Sequence, residues 1–122
     1  MIPEERRKYE RLKRPFVVSY NALGDPSATY DITQIKDISL GGMRFITSKG
    51  YMPNTRLNIE LRLPFMEEKV KLKARVIESK EVVKDLIYDT RVCFKELEEE
   101  AQEILSKTIN LFLKKDRGKE VK

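Results

Sequence analysis

The chain has 122 residues, 40% of them hydrophobic and 37% charged, with a formal net charge of +5 at pH 7. This length suits a single domain that can bury one real core, and the single cysteine, Cys93, excludes an internal disulfide and favours a reducing, cytoplasmic setting. Histidine is absent, which removes the commonest general base and metal ligand, so the sequence argues against an enzyme and indicates neither a zinc site nor a cofactor.

No targeting or membrane segment is evident in the sequence. Met1 is followed closely by charged residues rather than by an apolar segment, and no apolar run approaches the length of a membrane span. We therefore expect a cytoplasmic protein without a membrane span. The sequence leaves open whether the chain is complete or is one domain of a longer protein.

Residues 1–14 are predicted to form a basic N-terminal arm. Residues 6–14 contain six lysines or arginines against one glutamate, and they show no apolar periodicity. Pro15 ends the arm, because it biases Arg14 toward an extended conformation. Since like charges repel one another, we expect the arm to be mobile alone and to become ordered on an anionic ligand.

Six strands are predicted after the arm, from runs of β-forming residues and from alternation of apolar and polar side chains. They cover residues 16–20, 30–38, 43–47, 57–63, 70–76 and 88–94. In the second strand, Ile32, Ile35 and Ile38 do not keep a period of two. A β-bulge near Gln34 would restore the two faces of that strand.

A helix is predicted from residue 97 to residue 115, where the apolar spacing changes to the helical period. Glutamates lie at its start and lysines at its end, which suits the helix dipole. Gly118 is expected to stop the helix.

The apolar face of this helix is predicted to pack. We expect Leu105, Ile109 and Phe112 to lie against the strands or against a second copy of the chain. Leu111 and Leu113 place apolar surface on a second face, which is the basis for expecting a homodimer or a partner contact through the helix.

Together these elements indicate a mainly β fold, a six-stranded antiparallel β-barrel with a C-terminal α-helix that covers its open end or edge. The chain then divides into the arm at 1–14, the barrel at 15–96, the helix at 97–115 and a basic tail at 116–122.

Two motifs thirty residues apart stand out for their chemistry, Arg7-x-x-x-Arg11 and Asp37-x-Ser39-x-x-Gly42. An arginine fork donates two parallel hydrogen bonds to a phosphate or to the N7 and O6 acceptors of guanine. A carboxylate accepts from the N1–H and N2–H₂ donors of the same base, and a serine hydroxyl can bind a phosphate. Gly42 permits close backbone approach or a positive φ angle. These residue types therefore match a guanine-containing dinucleotide.

The pair of motifs resembles the signature of the PilZ domain family, over about residues 6 to 113. The resemblance implies the six-stranded barrel with a C-terminal helix, and non-catalytic binding of the bacterial second messenger cyclic di-GMP. It implies that Arg7, Arg11, Asp37, Ser39 and Gly42 bind this nucleotide, with the arginine arm wrapping the ligand against the barrel. One departure is Asn54, where the family often has a glycine, but asparagine tolerates left-handed conformations.

Arg6 bears on stoichiometry. In proteins that the chain resembles, the side chain before the first motif helps to decide whether one ligand or a stacked pair is bound. An arginine there is similar to the version that holds a pair, so we add Arg6 to the site and expect two cyclic di-GMP molecules per chain.

The output of such a domain stays open. The resemblance implies an effector that relays the second-messenger level to an unidentified protein partner, and nothing selects among motility, pili, exopolysaccharide synthesis and virulence. Two alternatives remain, a small basic barrel that binds nucleic acid and an adaptor that works without a ligand. For the first, residues 6–14 would combine with an outward stripe on the fifth strand, formed by Lys69, Lys71, Lys73 and Arg75.

Overall fold

The structure is a computed structural model that describes residues 11–24 and 30–121, with side chains as far as residue 115. Six antiparallel strands close into a barrel in the order β1-β2-β3-β6-β5-β4, which confirms the predicted fold class. The strands are β1 Val17–Ala22, β2 Asp31–Ile38, β3 Gly42–Thr47, β4 Arg56–Arg62, β5 Val70–Val83 and β6 Ile87–Phe94, and one helix follows, α1 Glu99–Val121.

The alternation seen in the sequence of β4 and β5 becomes the inside and outside of the barrel. Leu57 on β4 pairs with Ala74 on β5, and Ile59 pairs with Leu72. All four side chains are buried, while the residues between them are exposed or half-buried. Burial of these apolar side chains is the main driving force for closure of the barrel.

A β-bulge in β2 decides which residues face outward. Ile35 pairs with Phe45, but the next pair along is Asp37 with Arg44, so Lys36 is the extra residue. Ile35 and Ile38 therefore both enter the core, and Asp37 lies on the outer side between them. The predicted bulge near Gln34 occurs two residues later. Ile32 consequently does not join the core and is 74% exposed.

The hairpin of β5 and β6 extends further than predicted. β5 continues to Val83. The turn that follows contains Asp85 at a φ of 60° and lies where the sequence predicted a turn. Residues 77–83 showed no strand alternation in the sequence because they project past the core, and most of them are exposed. Asn54 adopts a φ of 74°, which is the left-handed conformation expected of it.

The helix begins at Glu99 and runs through Gly118 to Val121, so the predicted stop at Gly118 is wrong. A glycine costs a helix only about 1 kcal/mol relative to alanine, and its charged neighbours are mostly residues that a helix accommodates easily. Among residues 11–24 and 30–121, no helix is long and apolar enough to cross a membrane.

The helix packs on the barrel through the predicted face. Leu105 and Ile109 are buried in the core. Phe112 is partly buried against it, and its ring meets that of Phe16 edge-on at a centroid distance of 5.5 Å. On the second face, Leu113 is also partly buried, whereas Leu111 is 46% exposed.

A chain of hydroxyl groups ties β3, β5 and β6 together at one end of the barrel. Thr90 and Thr47 lie 2.8 Å apart through their Oγ1 atoms, and Ser79 Oγ lies 2.6 Å from Thr90 Oγ1. Ser79 accepts from the Tyr51 amide, and Thr47 donates to the Lys49 carbonyl. Because Thr47 donates its only proton to the Lys49 carbonyl, Thr90 must donate to Thr47. Ser79 must then donate to Thr90.

Replacing the central hydroxyl should therefore cost more than one hydrogen bond. Thr90→Val leaves Ser79 without its acceptor and Thr47 without its donor, so we expect the free energy of unfolding to fall by about 1–3 kcal/mol. Urea denaturation measures this. The control is Thr33→Val, at a half-buried threonine of β2 that lies outside this network. Equal effects of the two substitutions would contradict the network.

Candidate functional site

The end of the N-terminal arm is attached to the barrel at Leu12. Its amide donates to the Ile38 carbonyl at 2.8 Å, and the Ile38 amide donates back to the Leu12 carbonyl at 3.0 Å. The Leu12 side chain is fully buried in the core. The predicted arm therefore includes one residue, Leu12, that packs in the core, while residues 1–10 lie outside the described part. That the arm is mobile without ligand stays a prediction.

Attachment at Leu12 places its two neighbours. In an extended segment, alternate side chains point to opposite sides, so Arg11 and Lys13 project away from the core when Leu12 enters it. Both of them line a depression on the outer surface of the barrel. The burial of one leucine thus presents two cations at the end of β2.

Asp37 lies at the centre of this surface. Asp37 is only 5% exposed, and a different guanidinium group contacts each of its two carboxylate oxygens. Arg11 donates from Nη1 to Oδ1, and Arg44 on β3, directly opposite in the register, places Nε 3.2 Å from Oδ2. A carboxylate removed from water requires such partners, because its desolvation otherwise costs several kcal/mol.

Arg44 links Asp37 to a second carboxylate on β6. Its Nη1 lies 3.4 Å from Oδ2 of Asp89, and Lys36 Nζ lies 3.8 Å from the same oxygen. Within the described part of the chain, neither Arg44 Nε nor Asp89 Oδ1 has a partner in good hydrogen-bond geometry, although both atoms are buried. Attraction between opposite charges therefore stabilises this network more than well-directed hydrogen bonds do.

The depression around Asp37 has a volume of about 210 Å³ and is lined by Arg11, Lys13, Asp37, Arg44 and Arg91. Four cations thus surround one carboxylate, which gives the lining a formal charge of +3 and favours an anion over a cation there. A larger cavity of about 500 Å³ lies against β4 and β5. That cavity contains none of the predicted site residues, so the volume of a cavity and the predicted residues point to different surfaces.

Ser39 and Gly42 form the turn between β2 and β3. The Ser39 hydroxyl accepts from the Gly41 amide at 3.1 Å and lies 3.5 Å from the Gly42 carbonyl. Because the second contact is long, the hydroxyl proton is only weakly engaged. Gly42 is required for close approach rather than for a positive φ, since a Cβ there would lie 2.1 Å from the Val92 carbonyl oxygen on β6.

The structure thus brings Arg11 and Asp37 into direct contact and places Ser39 and Gly42 in the turn that follows. Arg6 and Arg7 lie outside the described residues. Arg44 and Arg91 also belong to this surface, although neither was predicted from the sequence. Arg44 could have been found, because Met43 and Phe45 alternate with it and face the core.

The family of the chain follows from comparison with known proteins. The sequence model of the PilZ domain matches residues 5–110. The chain belongs to the PilZ domain family. This confirms the resemblance inferred from the two motifs, and it covers the whole barrel and most of the packed part of the helix. No curated protein matches the chain significantly.

Several solved structures share the fold at low sequence identity. The Bacillus subtilis inhibitor of motility MotI/DgrA has a TM-score of 0.71 and 22% identity, and the match covers 94% of this chain but 57% of that one. The PilZ domain of Escherichia coli YcgR, solved with c-di-GMP, has a TM-score of 0.68 and 19% identity, with 96% and 98% covered.

A third structure is a pathogenic protein of Xanthomonas campestris, described as a tetrameric PilZ domain self-assembled through a helical bundle. It has a TM-score of 0.71 and 12% identity, with 90% of this chain and 91% of that one covered. At these identities the likeness concerns the fold. This chain spans a little over half of the MotI/DgrA chain but nearly all of the YcgR domain.

Leu12 is expected to support both stability and the site. Leu12→Ala removes a fully buried side chain, so the free energy of unfolding should fall by about 2–5 kcal/mol and Arg11 should lose its fixed position beside Asp37. Thermal or urea denaturation measures the first effect. The control is Leu23→Ala, at a leucine that is 51% exposed. A loss at Leu12 no greater than at Leu23 would show that the segment is not anchored in this way.

Proposed function

We propose that the chain is a non-catalytic receptor for cyclic di-GMP that relays the level of this second messenger to a protein partner in the bacterial cytoplasm. The observation that carries the proposal is the buried Asp37 carboxylate, set among guanidinium groups in an open, positively charged depression. Family membership supports it, as does the c-di-GMP complex of the YcgR PilZ domain, which has the same fold.

Asp37 and Arg11 would bind complementary edges of the ligand. The carboxylate accepts from guanine N1–H and N2–H₂, while the guanidinium donates to N7 and O6 or to a phosphate. Adenine keeps the N7 acceptor but has an N6–H₂ donor in place of O6, an unprotonated N1 and no N2–H₂ group, so the pair favours guanine. Arg11 and Arg44 already offset the desolvation cost of Asp37 in the free protein. Ligand binding therefore adds a smaller desolvation cost.

The described depression is too small to enclose a dinucleotide alone. Its volume of about 210 Å³ is below the range of roughly 300–1,000 Å³ typical of ligand pockets. Arg7 is joined to Arg11 through four peptide units, so chain length keeps their Cα atoms within about 14 Å of one another. We therefore propose that Arg6 and Arg7 complete the site from the arm, and that Ser39 and Gly42 lie at its floor.

Two ligands per chain are proposed rather than one. Two stacked cyclic di-GMP molecules bring four phosphate charges together, and each additional guanidinium offsets part of their repulsion. Arg6 supplies such a group immediately before Arg7, and its plane can stack on an exposed guanine.

The output is proposed to pass through a surface contact. Leu111 on the outer side of α1 is 46% exposed, which suits a homodimer through the helix or contact with a partner. The tetrameric Xanthomonas campestris domain, self-assembled through a helical bundle, offers a precedent for assembly by a domain of this fold.

Nucleic-acid binding is the less favoured function. It requires the basic arm and the basic stripe on β5 to act together as one track. Although β5 is the neighbour of β6 in the barrel, Glu78 lies opposite Arg91 between the stripe and the depression. Glu60 on β4 also interrupts the stripe, since it lies 3.4 Å from Lys69 and pairs in register with Lys71.

Calorimetric titration with cyclic di-GMP tests the site. Arg7→Ala and Arg11→Ala should each weaken binding by about 2–5 kcal/mol, because each removes one partner of a desolvated charge pair. Arg62→Ala, at an exposed arginine on β4 outside the depression, is the matched control and should bind as the parent does. Unchanged affinity in both arm variants would place the ligand elsewhere.

Stoichiometry is tested in the same titration at ligand concentrations well above the dissociation constant. We expect a molar ratio near two, and Arg6→Leu should lower it toward one because an apolar side chain fills the place of the second ligand without neutralising its phosphates. A ratio of one for the unmodified chain would contradict the stacked pair and leave the binding site intact.

A further inference from the structure

We propose that Arg91, on the outer face of β6, binds a phosphate of the ligand, and that Arg44 is the positioning residue that holds this wall of the site. Neither residue belongs to the two sequence motifs. This inference rests on the proposed function and extends it to a side of the depression that the motifs do not reach.

The register places these two arginines face to face. Arg44 on β3 pairs directly with Arg91 on β6, and both line the depression around Asp37. Like charges directly opposite one another on a sheet destabilise it. Asp37 opposite Arg44 and Glu78 opposite Arg91 offset part of that repulsion in the free protein, and an anion bound between the two arginines would offset more of it.

The two arginines are engaged differently. Arg44 lies between two carboxylates, with Nε 3.2 Å from Asp37 Oδ2 and Nη1 3.4 Å from Asp89 Oδ2. Arg91 is exposed and forms no ion pair with the residues at 11–24 or 30–115. Its planar fork therefore keeps its donors available for a phosphate.

Charge balance points to the same side. Asp37 and Asp89 together offset the charges of Arg11 and Arg44, so the charge left over in the lining lies on Lys13 and Arg91. On its other side Arg91 pairs in register with Glu78, and Lys80 lies beside them in a smaller recess of about 60 Å³. Because cyclic di-GMP carries two phosphates, one can pair with the arm and the other with Arg91.

Calorimetry with cyclic di-GMP on three variants tests this assignment. Arg91→Ala should weaken binding by about tenfold to a hundredfold, the loss typical of one charge-assisted hydrogen bond. Arg91→Lys keeps the charge but loses the planar fork, so it should lose less affinity than Arg91→Ala does. Arg62→Ala should match the parent. The melting temperature of the free Arg91→Ala protein should change little, because Arg91 is exposed and lies opposite one like charge, Arg44, and one unlike charge, Glu78.

The outcomes separate the two claims. If the parent binds and Arg91→Ala binds equally well, the phosphate contact is wrong while the proposed function stands. A loss in Arg91→Lys as large as in Arg91→Ala would also overturn a contact made through charge, and so would a melting temperature that falls in step with the affinity. If the unmodified chain does not bind cyclic di-GMP, both the proposed function and this inference fail.

Discussion

A carboxylate that is almost removed from water controls this surface. Asp37 is buried on the outside of a barrel rather than in its core, and a charge in that position is stable only with cations close to it. Arg11 comes to it from the arm and Arg44 from the neighbouring strand. This one acidic group thus brings the end of the arm, which is distant in sequence, against the hairpin of β2 and β3.

Two features of the fold make that arrangement available. The bulge at Lys36 lets Ile35 and Ile38 enter the core while Asp37 stays outside. Leu12, buried and hydrogen-bonded to Ile38, sets Arg11 beside the carboxylate. Neither feature carries ligand chemistry itself. Both are ways of packing the core, and the positively charged depression results from them because the charged residues next to Ile38 and Leu12 have no room in the core.

Strong periodicity made much of the fold predictable from the sequence. Leu57, Ile59 and Leu61 alternate cleanly, so β4 was placed to within a residue at each end. The bulge was misplaced because a break in period shows that one residue is extra but not which one. Leu12 was missed because a single apolar residue in a basic run has no period. The helix end was wrong because the cost of Gly118 is small against the propensity of the residues around it.

The residues of the candidate site also divide into those that could be predicted from the sequence and those that could not. Arg11 and Asp37 could be predicted because they belong to motifs with a fixed spacing. Arg44 and Arg91 depend on strand register, and β3 and β6 are neighbours although they are not consecutive in sequence. Which cations face one another across such a pair follows from closure of the barrel, and no short segment of the chain encodes it.

The most direct test is an amide NMR titration of the isotopically labelled chain with cyclic di-GMP. If the ligand binds over Asp37, shift changes will be largest at residues 11–13, 37–44 and 89–91, and cyclic di-AMP at the same concentration will cause much smaller changes there. Changes concentrated on β4 and β5 instead, or equal responses to the two nucleotides, would contradict a guanine-selective site built around that carboxylate.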